Sequence, residues 1–275
     1  MLKKYWVSIC GFLIFETIAI ILWQLFKRPF YLFNFTYIGF FGSIGIGLMI
    51  AKYKHARRFT EFFIGAYMLI VPGILGRENM QIVGFFYYTF SGLFYAAFIH
   101  YLIAKIIGPL IWGRGWCGYA CWTAMILDLL PYKMPQNPRK EKLGFLRIGI
   151  FIISLLYFCF IFIYKREIIE NIMFISFIIG NIIYYSVGII LAFTFKDNRS
   201  FCKYICPITV FLKPASYFAL WRRKVNHDKC TLCNKCKKAC PMDVDLLDDR
   251  RKRKNGTECI QCLNCRLSCP QKAIK

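Results

Sequence analysis

Apolar residues run along this chain in long unbroken blocks, not at the spacing of an amphipathic helix or a half-buried strand. Six blocks, at roughly 5–26, 32–51, 60–75, 81–108, 144–164 and 171–195, reach or approach the length that crosses a bilayer core of about 30 Å. They predict an all-α membrane domain of about six transmembrane helices within residues 1–200. The third block is short and carries Pro72-Gly73, which predicts a broken or tilted helix. The first is too long for the core of a secretory signal and lacks a small-residue cleavage site, so it is expected to stay as an anchor. Gly39, Ser43 and Gly47 recur every four residues in the second block and predict close helix packing. After residue 200 the pattern turns polar, with an interfacial linker expected at 201–224 and a small α+β domain at 225–275.

Composition agrees with a membrane protein: 58% of the 275 residues are hydrophobic and 19% are aromatic. The net charge of +23 invites a nucleic-acid reading. The basic residues sit in loops between apolar blocks, and no nucleic-acid fold signature accompanies them, so no nucleic-acid partner is expected. An anionic leaflet and an acidic redox partner suit the charge better.

Eight of the fourteen cysteines lie in the last fifty residues, in two copies of C-x2-C-x2-C-x3-C-P. One copy is Cys230, Cys233, Cys236, Cys240 and Pro241; the other is Cys259, Cys262, Cys265, Cys269 and Pro270. Three thiolates at this spacing wrap one corner of a 4Fe–4S cluster, and in two-cluster ferredoxins the fourth ligates the other cluster. The expected ligand sets are therefore Cys230, Cys233, Cys236 with Cys269, and Cys259, Cys262, Cys265 with Cys240. Structural zinc also uses C-x2-C pairs, but gains nothing from the third cysteine or the proline. Such clusters are assembled in reducing compartments, which places the tail in the cytoplasm. The termini then share one side. That side holds Lys3, Lys4, Lys52, Lys54, Arg57, Arg58, Arg114, Lys133, Arg139, Lys140 and Lys142, against Lys27, Arg28, Arg77, Lys165 and Arg166 opposite. The bias predicts a multi-pass protein of the cell membrane with both termini cytoplasmic.

Two further cysteine pairs form an internal repeat. Arg114, Trp116, Cys117, Tyr119 and Cys121 recur 85 residues later as Arg199, Phe201, Cys202, Tyr204 and Cys206, within motifs at 113–122 and 198–207. Read as one helix, each pair faces one way, one turn apart. If the repeat brings the pairs together, four thiolates meet at the membrane surface, with Arg114 and Arg199 beside them to lower their pKa and support charge. That suffices for a third iron–sulfur centre or for two redox dithiols, and both readings stay open. Simple packing of small buried residues is the plainer account, weakened by the repetition of the flanking residues.

Other polar residues carry less. Cys10 and Cys159 are expected to pack within spans, Asp128 to be solvated at the interface, and His55 and His100 to be interfacial rather than haem ligands. Glu16, mid-span, is expected to carry a proton, touch a quinone, or pair with Arg147 or an asparagine.

These motifs resemble the membrane-bound polyferredoxin proteins of the NapH/NosR kind, and are similar to oxidase-assembly proteins of the CcoG type. Phe201 to Pro207 resembles the second C-x3-C-P motif of that family; Gly113 to Cys121 resembles the first, with Trp122 in place of proline. The resemblance covers roughly 80–275 and implies electron transfer between a membrane or cytoplasmic donor, quinone included, and a partner redox protein. An acidic ferredoxin, a flavoprotein or a reductase subunit would serve as partner. The flavin domain of the NosR members has no counterpart here. With no Rossmann fingerprint, nucleophile elbow or phosphate loop, an electron-transfer subunit is expected more than an independent enzyme. A metal or cofactor reductase acting in assembly of a respiratory enzyme, and a redox sensor, are the rival readings.

Overall fold

A computed structural model describes residues 2–247 and 257–275, with side chains from residue 5 onward; Lys3 and Lys4 of the basic count lie outside the described side chains. Among the described residues, five helices are long and apolar enough to cross a membrane: Tyr5–Phe26 (α1), Pro29–Ile50 (α2), Ala56–Leu75 (α3), Glu141–Tyr164 (α8) and Arg166–Phe195 (α9). Their outer faces carry large exposed apolar side chains, such as Trp6, Leu25, Leu156 and Ile163, each more than 60% exposed. Exposed apolar side chains of this size along the spans suit lipid rather than water. Pro29 starts α2 where its missing N–H leaves no bond unmade. Its small-residue face packs on α1 as expected, with Phe15 against Gly39 and Ser8 Oγ donating to Ser43 O at 2.5 Å.

The predicted fourth span, 81–108, is two elements. Ile82–Phe90 (α4) ends at Ser91, Gly92 turns with φ +67°, and Ala96–Trp112 (α5) follows as a shorter apolar helix. Residues 76–81 dip into the bundle along α9: Arg77 Nη2 donates to Asn171 Oδ1, Asn79 Nδ2 to Met173 O, and Gln81 lies against Gly180. Helix α4 then climbs back, so that Phe90 ends beside Phe158 and Phe162 of α8. Irregular backbone inside a membrane domain must find partners in the protein. Asn79 supplies them: Oδ1 accepts from the Gln81 N–H at 2.9 Å, and its own N–H donates to Tyr88 Oη at 3.0 Å. Pro72 opens the end of α3 into a π-helical turn, Leu69–Leu75, the distortion its sequence predicts.

Short helices follow α5 and α9 in parallel fashion. Gly115–Tyr119 (α6) and Trp122–Leu127 (α7) follow α5, while Ser200–Tyr204 (α10) and Thr209–Tyr217 (α11) follow α9. The 85-residue repeat is therefore structural: helix, five-residue helix, helix. In the tail, Lys235–Lys238 (α12) packs against Asn264–Ser268 (α13). The expected β component is reduced, among the described residues, to one antiparallel bridge between Val225 and Ile274. Only Lys224, Asn226, Ala273 and Lys275 extend that pairing, too few residues for a strand.

Candidate metal centre

The two tail repeats fold alike, 29 residues apart. Leu232 and Gln261, Asn234 and Leu263, and Asp243 and Lys272 all take positive φ, between 49° and 67°. Six non-glycine residues in that region mark a backbone bent around something. The Val244 N–H donates to Cys240 Sγ and the Ala273 N–H to Cys269 Sγ, both at 3.3 Å. Hydrogen bonds to ligating sulfurs are one means by which a protein sets cluster potential.

What the loops bend around is a pair of cavities. Cys230, Cys233, Cys236 and Cys269 line one; Cys240, Cys259, Cys262 and Cys265 line the other. Each takes three cysteines from one run and the fourth from the other. Among the described residues no three Cys, His, Asp or Glu side chains gather tightly enough to hold a single metal ion. The thiols instead ring a void, which fits a polynuclear centre held at its corners. The first cavity opens to solvent at the exposed Cys233, whereas burial pushes the Cys240 and Cys265 thiols of the second up to about 12.

The second cavity lies against the membrane domain. Met242, Val244 and Ile260 share one apolar core with Cys117, Phe201, Cys202 and Leu212, and Cys206, Cys240, Cys259 and Cys262 pack onto it. Tyr119 Oη donates to Gln261 O at 2.9 Å. Gly118 sits so close to Ile260 O that any side chain there would collide with it.

The two C-x3-C pairs converge. Burial pushes the Cys206 thiol up to about 11, and Cys117 and Cys121 from the other repeat add to the rise. Burial likewise raises Cys202, against the pull of Arg199 and Arg114. The arginines thus act in the expected direction, but burial outweighs them. The one-helix expectation fails: α6 stops at Tyr119 and α10 at Tyr204, so Cys121 and Cys206 sit past the helix ends. Cys121 instead stands, with extended backbone, at the position just before α7.

Arg114 and Arg199 are each 1% exposed and bind carboxylates. Arg114 pairs with Glu258, which Arg139 and Arg147 also reach at 3.1 Å, as does Lys213. Arg199 pairs with Glu61 at 3.0 Å and Asp128 at 2.6 Å, and donates to Cys117 O at 2.9 Å. Lys203 joins Asp197 at 2.7 Å to Asp243 of the tail at 2.5 Å. Glu258 and Asp243 therefore clamp the tail onto the two repeats, one each.

Several single-residue expectations are corrected here. Asp128 is buried, and although burial works against it, Arg199 and Arg57 hold its carboxyl well below the usual range. His100 is buried rather than interfacial, packed edge-on at 5.1 Å from Trp116. Glu16 meets Thr36 Oγ1 at 3.2 Å, while Arg147 is taken by Glu258. His55 is exposed, and Cys159 packs against the main core, as expected. Sequence reading missed Glu61, Lys203, Asp243 and Glu258. Glu61, four residues after Arg57, is the one with a local signal.

Comparison with known proteins bears on both centres. A 4Fe–4S dicluster domain model matches residues 222–271, which hold all eight tail cysteines. A 4Fe–4S binding domain model matches 96–141 and 182–226, each containing one C-x3-C pair. Two uncharacterized proteins of Methanocaldococcus jannaschii are similar. MJ0750 is 27% identical over 54% of this chain and 66% of its own length; MJ0749 is 24% identical over 69% and 74%. No solved structure matches. The chain is an iron–sulfur-binding membrane protein that carries a 4Fe–4S dicluster domain.

Proposed function

We propose that the chain is the membrane-embedded electron-transfer subunit of a redox system, of the NapH/NosR kind. It would hold two 4Fe–4S clusters in the tail and a third at Cys117, Cys121, Cys202 and Cys206. The observation that carries this reading is the partition of the eight tail cysteines between two cavities with exchanged fourth members. The convergence of the C-x3-C pairs, each inside a 4Fe–4S binding match, supports the third. A bound cluster supplies one-electron transfer; the residues do the rest. Cys233 opens the outer site to a partner, and the shared core of Ile260, Met242 and Phe201 excludes water between the inner site and the repeats.

The outer site carries exposed Leu232 and Cys233 in a segment with the exposed Lys229, Lys235 and Lys238, which suits an acidic soluble redox protein. On the membrane side, a largely apolar cavity of about 400 Å³ lies between α1, α2 and α5. His100 Nε2 and Trp116 Nε1, both buried and without hydrogen-bond partners, belong to residues that line it. Two polar atoms in a lipid-side cavity beside Cys117 suit the carbonyls of a quinone. The basic-loop bias puts the tail in the cytoplasm. Vesicles containing the chain should pass electrons between a soluble low-potential dye at the tail face and a lipid-dissolved quinone. No transfer above protein-free vesicles would contradict the proposal, and a reporter after Lys275 active only outside the cell would contradict the orientation.

A further inference from the structure

A second largely apolar cavity, of about 390 Å³, lies beside the first and shares Trp116 and Trp221 with it. It runs along α2 from Met49 to Gly39, with Gly11 and Phe15 of α1 on the facing side. Helix α2 rises about 15 Å over that length, half of a bilayer core of about 30 Å. A slot of that shape takes a chain rather than a ring. Gly39 is tied to helix packing, since a Cβ there would stand 2.5 Å from Phe15 Cβ. Gly42 is not: a Cβ added there would meet nothing within 4 Å. Glycine weakens a helix relative to alanine, so Gly42 keeps the slot open at a cost that packing does not require.

The Met49 end is polar and cationic. Arg223 and Gln261 line it, and Tyr119 Oη lies 3.5 Å from Met49 Sδ. Arg223 Nε donates to Gln261 Oε1 at 2.7 Å, and Gln261 Nε2 donates to Trp221 O at 3.2 Å, which holds the guanidinium at the mouth. Among the described residues no carboxylate pairs with Arg223, and none lines the cavity. Beside the mouth Phe218, Leu220 and Trp221 stand exposed, hung by the N–H groups of Leu220 and Trp221 from Leu110 O and Ile111 O at the end of α5. Exposed aromatics next to arginine are the residue mix of a membrane–water interface. We propose that this cavity holds an anionic phospholipid, its phosphate on the Arg223 guanidinium and one acyl chain along α2 past Gly42. A guanidinium matches a phosphate in charge and in its paired donors, whereas an uncharged headgroup leaves Arg223 without a counter-charge. Arg223 and Gln261 also border the inner tail cavity, so the lipid fills the seam between the tail and the first two spans.

The test is native mass spectrometry of the full chain released from nanodiscs of equal phosphatidylglycerol and phosphatidylcholine. One phosphatidylglycerol should stay bound to the wild-type chain in preference to phosphatidylcholine. Arg223→Gln should weaken its retention about fivefold, the attraction of one basic residue for an anionic lipid. Gly42→Leu should block retention by filling the slot. Arg222→Gln, at a neighbouring cation outside the lining, should leave it unchanged. Equal retention of the two lipids by the wild-type chain overturns the site, and so does equal loss in Arg222→Gln and Arg223→Gln, which would mark diffuse charge. Unchanged retention in Gly42→Leu overturns it as well. Displacement of the lipid by an equimolar membrane quinone would give the cavity to quinone instead and overturn the lipid.

Discussion

Changing Cys117 and Cys202 together to serine is expected to abolish electron transfer between the tail and the membrane side while leaving both tail clusters visible by EPR. The two cysteines come from different repeats yet share an apolar core, into which the inner tail site also packs. Each is less than 10% exposed, so serine changes the ligand with little change in volume. The tail should survive because its eight cysteines occupy their own cavities, whose linings do not include Cys117 or Cys202. Vesicle assays on the double variant give the readout. Transfer at the wild-type rate would leave these cysteines as packing residues.

Glu258→Ala is expected to undock the tail. One carboxylate there meets Arg114, Arg139, Arg147 and Lys213, and two of those cations are at most 3% exposed. Removing it leaves buried charge without compensation, which destabilises by about 3–5 kcal/mol. The partly open Arg139 and Lys213 can turn to water, so the effect falls mainly on Arg114 and Arg147. Thermal unfolding of the purified chain and protease cleavage between the helical domain and the tail would report it. An unchanged melting temperature and cleavage pattern would show that the shared apolar core alone holds the tail.

The tail was legible in one dimension because cluster ligation is a spacing problem: three cysteines close together, a fourth exchanged, and the pattern repeated. The 85-residue repeat was legible for the same reason, and the paired α6 and α10 answer to it. Hydropathy hid the break at Ser91–Gly92, since apolar residues flank it on both sides and only a positive φ at Gly92 makes the turn. Charged residues were read one at a time, which made Asp128 a solvated group; its partners Arg57 and Arg199 are 71 residues away in either direction. Among the described residues the β component amounts to the bridge between Val225 and Ile274, too short for a sheet.

Iron and acid-labile sulfide per chain, measured anaerobically on the full-length protein beside the Cys117→Ser, Cys202→Ser chain and read with EPR after reduction, test the central claim most directly. Three clusters call for about twelve irons in the wild-type chain and about eight in the variant, with the two tail signals common to both. Equal iron in the two chains would remove the membrane-surface centre. Stoichiometric zinc with no EPR signal would contradict the electron-transfer account as a whole.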